Sequence, residues 1–126
     1  MIKSSAVLLL VLAPLTAFAD KNFQEGTGAT YDCGEDPVVN VVHGGGTYTF
    51  TGACTEVNLN GGKLVVTIAD VGTLNVNGAS NKITLTEVGA ININGAKNKV
   101  TWKKAKTGKK PAVATNGKGN AVTKVK

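Results

Sequence analysis

The sequence predicts an all-β, small single-domain β-solenoid, parallel β-helix-like with about 17 residues per coil. An antiparallel β-meander or sandwich is the alternative. Three observations lead there. Apolar and polar residues alternate with period two through the middle of the chain, the pattern of half-buried strands. Asn-Gly recurs at 60–61, 77–78, 94–95 and 116–117, where a turn belongs. Three segments, 57–61, 74–78 and 91–95, align without gaps at a step of 17, reading V-N-L-N-G, L-N-V-N-G and I-N-I-N-G.

In chain order, residues 1–19 read as a signal peptide. Lys3 gives a positive start, 6–13 an unbroken apolar run, and Ala17-Phe18-Ala19 a small-x-small site, so cleavage is expected after Ala19. The run falls short of the roughly 20 residues that span a bilayer. Asp20 follows rather than Cys, so no lipid attachment is signalled, and no transmembrane segment is expected in the mature chain. The localisation expected is exported, periplasmic or secreted. Residues 20–27 are expected as a flexible mature N-terminus, and 28–125 as the repeat β-domain.

Within that domain Cys33 and Cys54 are the only cysteines. An oxidising compartment favours a disulfide between them, worth about 3 kcal/mol for a loop of that length. A reactive or metal-binding pair is the alternative, but C-x-x-C spacing is missing and His43 is the only histidine. A weaker copy of the unit, one residue shorter, is read at 41–52. Each good unit continues in a second alternation: Val66-Thr67-Ile68, Ile83-Thr84-Leu85 and Val100-Thr101-Trp102. A further degraded copy, 115–122, follows a basic insertion at 103–111. Good units between atypical ends are what a repeat array with caps looks like.

The step of 17 favours the solenoid over the meander. Residues one coil apart stack at about 4.8 Å, which rewards identity at equivalent positions. Asn58, Asn75 and Asn92, and Asn60, Asn77 and Asn94, are then outward amide ladders, and Thr67, Thr84 and Thr101 a hydroxyl ladder. Leu59, Val76 and Ile93 join Val66, Ile83 and Val100 in a thin core. Trp102 takes the place of Leu85. Lys82 and Lys99 fall one step apart, as do Lys63, Ser80 and Lys97, so all should face solvent.

The units N-V-N-G-A-S-N-K-I-T-L and N-I-N-G-A-K-N-K-V-T-W resemble those of a bacterial exported family known as domain of unknown function 3060. Its pattern is V-x-V-N-G-x-x-N-x-V-T, closing in T-W and often opening with a cysteine pair. The resemblance spans about residues 28–122. It implies export and a repeat architecture, and brings no activity with it. Many members look like lipoproteins; the lipid-bearing Cys is missing here.

All fourteen basic residues are Lys, and the charge is unevenly placed. Six of eight acids precede residue 57, whereas 97–126 holds ten Lys and no acid. Such a stretch attracts polyanions. Without Arg there is no bidentate phosphate or guanine reading, so no specific nucleic-acid recognition is expected. The candidate anion-binding residues are Lys97, Lys99, Lys103, Lys104, Lys106, Lys109 and Lys110. Trp102, flanked by Lys99, Lys103 and Lys104, is expected to fill the core, with ligand stacking as the alternative.

Catalytic constellations are sparse. One His allows no Ser-His-Asp or Cys-His set, and Gly44-Gly45-Gly46 has neither a phosphate-loop spacing nor a following helix. Asp70 and Glu87, one step apart with Glu56 read near the same corner, form an acid/base pair, a cation site or a solvent-facing corner. The corner is expected, because a cation would want more oxygens. No enzyme activity, no cofactor and no metal are expected. The expected function is a non-enzymatic binding or adhesive module contacting anionic envelope polymer through its Lys-rich C-terminal third. The alternative is a structural domain binding another envelope protein through sheet edges or Asn ladders. An ice-binding threonine face and a polysaccharide-acting β-helix are remote alternatives; two of three rungs lack the second Thr that an ice lattice would match.

Overall fold

The structure, a computed structural model, describes residues 20–126; the expected signal peptide lies outside the described residues. Nine strands follow one another: β1 (Lys21–Phe23), β2 (Ala29–Asp32), β3 (Val38–Val41), β4 (Thr47–Asn60), β5 (Val65–Ala79), β6 (Lys82–Ala96), β7 (Lys99–Ala105), β8 (Ala112–Asn116) and β9 (Ala121–Lys124). Every pairing among them is parallel, which rules out the meander. The chain is a β-solenoid of about five turns.

The coil has two faces. The second halves of β4, β5 and β6 stack between β1–β3 below and β8 above. Their first halves stack between β2 below and β7–β9 above. The inward side chains of the two faces meet in one core, as the Phe23 and Tyr48 rings do at 5.5 Å. Four inward columns run its length. On the first face they are Val39–Val57–Leu74–Ile91 and Val41–Leu59–Val76–Ile93; on the second, Tyr48–Val66–Ile83–Val100 and Phe50–Ile68–Leu85–Trp102. All sixteen are buried. Each aliphatic member contributes about 1.5–3 kcal/mol of hydrophobic stabilisation.

At the Asn-Gly corner the positive φ falls on the glycine and on the residue two further on, not on the asparagine. Lys63, Ser80 and Lys97 sit at φ 58–62°, the left-handed region. Gly78 and Gly95 have φ of 149° and 150°, and a Cβ on either would run into the carbonyl oxygen of the glycine one coil below. Only glycine fits that stack. At the opposite corner, at Val71-Gly72 and Val88-Gly89, the chain only bends inside continuous strands β5 and β6.

Three boundaries differ from expectation. Lys21–Phe23 is not a free N-terminus: it forms β1 in register with Val39–Val41, and Phe23 packs on Tyr31, Tyr48 and Phe50. The copy at 41–52 is one residue longer than the others, because Tyr48 pairs with Val66 while Cys54 pairs with Val71. The extra residue is absorbed where the register shifts beyond Phe50, beside Gly52 at φ 74°. The insertion is also shorter at its start, since β7 runs through Lys103 and Lys104 to Ala105 before the chain leaves the ladder.

Candidate functional site

Strand alternation puts Lys99, Thr101 and Lys103 on the outer side of β7, about 6.7 Å apart, while Val100 and Trp102 point inward. Lys82 lies in register directly below Lys99, and Thr84 below Thr101. The threonine column extends beyond the expected three. Thr30, Thr49, Thr67, Thr84, Thr101 and Thr123 are joined rung by rung from β2 to β9. The upper half of this face therefore presents exposed Lys82, Lys99 and Lys103 around hydroxyls. From β5 to β9 its outward positions hold no acid.

The structure does not gather the seven expected lysines into one site. Only Lys99 and Lys103 share the threonine face. Lys97 lies at the Asn-Gly corner, its N–H donating to the Lys118 carbonyl at 3.0 Å. Lys104 is in register with Glu87 at the opposite corner. Lys106 turns back across that corner to form an ion pair and hydrogen bond with Asp70, so it does not project with the insertion. That bond holds the Lys106 ammonium above the usual lysine range, with Glu87 adding a smaller pull. Lys109 and Lys110 are exposed in the remaining loop. Sequence reasoning left Lys82 out of the candidate set although its step to Lys99 was plain.

Asp70 and Glu87 stack as expected, but Glu56 stands apart from them. It pairs in register with Thr73, and its Oε2 accepts from Asn75 Nδ2 at 3.3 Å. Among the described residues no three His, Cys, Asp or Glu side chains cluster as metal ligands would. Cys33 and Cys54 form a disulfide across a Cα–Cα distance of 5.0 Å, tying the first coil to the second. Burial lifts the Tyr31 phenol above its usual range. The Asp36 N–H donated to its oxygen at 2.9 Å works against that, and nearby carboxylates of Asp36, Glu35 and Asp32 add to it. Trp102 is buried under the last coil, with Lys124 Nζ 5.9 Å from its ring centroid. It is core rather than a stacking platform.

On the other face the outward asparagines are a true ladder. Asn92, Asn75, Asn58 and Asn40 each donate Nδ2 to the Oδ1 of the asparagine one coil below, at 2.8–3.0 Å, ending on Asn22. A second ladder went unread. Asn98 is buried and inward; its Oδ1 accepts from the Asn81 backbone N–H and Nδ2, and its Nδ2 donates to the Gly78 carbonyl and Asn120 Oδ1. Asn81 does the same for Leu64 N–H and the Gly61 carbonyl.

Fold and faces together define a small parallel β-solenoid with one amide-lined side, where Glu56 and Asp20 flank the ladder, and one basic threonine side. Residues 65–119, from β5 through β8, match the model of the family described as Protein of unknown function (DUF3060), the family its motifs resemble. No curated protein and no solved structure matches the chain. Among the described residues no helix is long and apolar enough to cross a membrane.

Proposed function

We propose that the chain is an exported, non-enzymatic binding module that holds an anionic envelope polymer on its threonine-lysine face. The observation carrying this reading is the outward grouping of Lys82, Lys99 and Lys103 around Thr84 and Thr101, with no acid on that part of the face. Lysines on adjacent rungs repel unless an anion lies between them. Threonine hydroxyls beside them donate to phosphate or carboxylate oxygens. Parallel rungs at about 4.8 Å repeat the same donors along one line, which suits a polymer better than a single small anion. Asp70 and Glu87 belong to a neutralised corner in this reading, because Lys106 holds Asp70 and Lys104 stands beside Glu87.

The test is retention of the mature chain on immobilised polyphosphate and polyuronate at low and high salt. Retention should fall steeply with salt. Lys99→Ala with Lys103→Ala should lose most of it, and Lys109→Ala with Lys110→Ala little. The reverse order would move the site to the loop, and salt-resistant retention would remove it from electrostatics altogether. Point variants are needed because truncation after Ala105 would strip β8 and β9 from the core beneath them.

A further inference from the structure

A groove of about 320 Å³ runs along the asparagine face near its upper end. Six asparagines line it, among them Asn75, Asn92, Asn94 and Asn116, together with Ala114 and Thr115, and no ionisable residue does. It lies on the face opposite Lys82, Lys99 and Lys103, so it is independent of the anionic-polymer reading.

The groove is where the amide ladder stops. Each asparagine from Asn40 to Asn92 donates downward, so each Oδ1 below Asn92 receives a donor from the coil above. The position above Asn92 is Ala114, in register with it on β8. A methyl group stands where the next carboxamide belongs. Among the described residues no donor reaches Asn92 Oδ1, and the carboxamides of Asn94 and Asn116, in register with each other beside the gap, have no protein partner. The gap thus presents one aligned acceptor and two amides able both to donate and to accept.

We propose that this gap binds an N-acetylated sugar unit of a glycan, whose acetamido group takes the place of the missing rung. The acetamido N–H donates to Asn92 Oδ1, continuing the ladder upward, and its flat amide lies over the Ala114 methyl. The ring hydroxyls meet Asn94 and Asn116, about 6.7 Å along the strands. A neutral lining selects for hydroxyl and amide groups over charge. A peptide strand is disfavoured, because such strands bind by pairing with an open sheet edge. The open edge here is the outer edge of β8, which is bonded to β6 alone, so a pairing strand would sit above the groove rather than across its side-chain face.

The experiment follows the asparagine side-chain amide signals of the disulfide-bonded mature chain by NMR. The titrant is the tetramer of N-acetylglucosamine at high salt, which screens the basic face. Glucose tetramer is the control. Signals of Asn92, Asn94 and Asn116 should move with a dissociation constant in the millimolar range or tighter. Ala114→Asn restores the rung; it should keep or raise the melting temperature while weakening binding about tenfold or more. Asn94→Ala, at an exposed site, should weaken it several-fold without unfolding the chain. The proposal is overturned if no side-chain signal moves, if Ala114→Asn binds as well as the natural chain, or if glucose tetramer binds equally. Equal competition by a short glutamine-containing peptide also overturns it, assigning the gap to peptide amides.

Discussion

At the Asn-Gly corner the chain turns through a glycine where a Cβ would have no room and a left-handed residue two further on, and the part-buried glycine carbonyls are met by Asn81, Asn98 and Asn120 from inside. At the opposite corner the strands merely bend, and what holds them is a disulfide at the bottom and the Asp70–Lys106 ion pair at the top. The first corner is repeated in every good coil on the same Asn-Gly pair; the second is closed differently at each level. A tight turn strands polar backbone groups, which must find partners inside the molecule. A gentle bend leaves the ladder intact and can rely on whatever side chains are at hand.

The contrast breaks most readily at Asn98. Asn98→Ala leaves the Asn81 N–H and the Gly78 carbonyl without partners in a buried place, and each unsatisfied group costs about 1–3 kcal/mol. A loss of about 4 kcal/mol is expected in urea unfolding, and a loss below 1 kcal/mol would mean that water fills the corner. Replacing Cys33 and Cys54 together by Ala should cost about 3 kcal/mol, and the destabilisation should appear as fraying of β2 and β3 rather than of β6. Exchange of amide hydrogens resolved by residue distinguishes the two. Smallest is Lys106→Met, which removes a half-exposed ion pair worth about 0.2–1 kcal/mol. Its pH dependence sharpens the comparison. The Lys106 pKa is raised in the folded chain, so its stabilisation is complete below the ordinary lysine value of 10.5 and fades as pH rises through the folded value. The Tyr31 phenol is raised too; ionisation from its ordinary value of 10.0 upward favours the unfolded chain. Stability should therefore fall above about pH 10, and Lys106→Met should soften that fall without removing it. An unchanged alkaline profile would show that the corner draws nothing from the pair.

The coil, its core columns and the ladder from Asn58 to Asn92 were legible because their signal is repetition at one fixed step. Asn22 and Asn40 were not, since the lower rungs advance by 18 residues and a search at 17 passes over them. The bulge beside Gly52, which lengthens the step from Asn40 to Asn58, has no repeat to betray it. Asn120 hid likewise behind the five inserted residues that precede it. Asn81 and Asn98 recur at 17, but Leu64 one coil earlier masks the column as variable. Only the three-dimensional corner shows why an amide belongs there. For the site, periodicity located Lys82 and Lys99 one step apart. Charge counting alone put Lys104 and Lys106 with them, because it cannot tell a lysine facing solvent from one facing an acid.

The constancy of register along the stack also bears on how the chain comes apart. Apart from the Lys106–Asp70 ion pair, which skips one coil, each coil touches only the coil above and the coil below, so stability accumulates along a line as nearest-neighbour terms rather than through one closed shell. Opening then starts at the ends and travels inward. β8, exposed at every residue, is expected to exchange its amide hydrogens first, while β5 and β6, with a long strand on at least one side and each other between, exchange last. The molecule is thus expected to open as a short zipper does, with its middle teeth parting last.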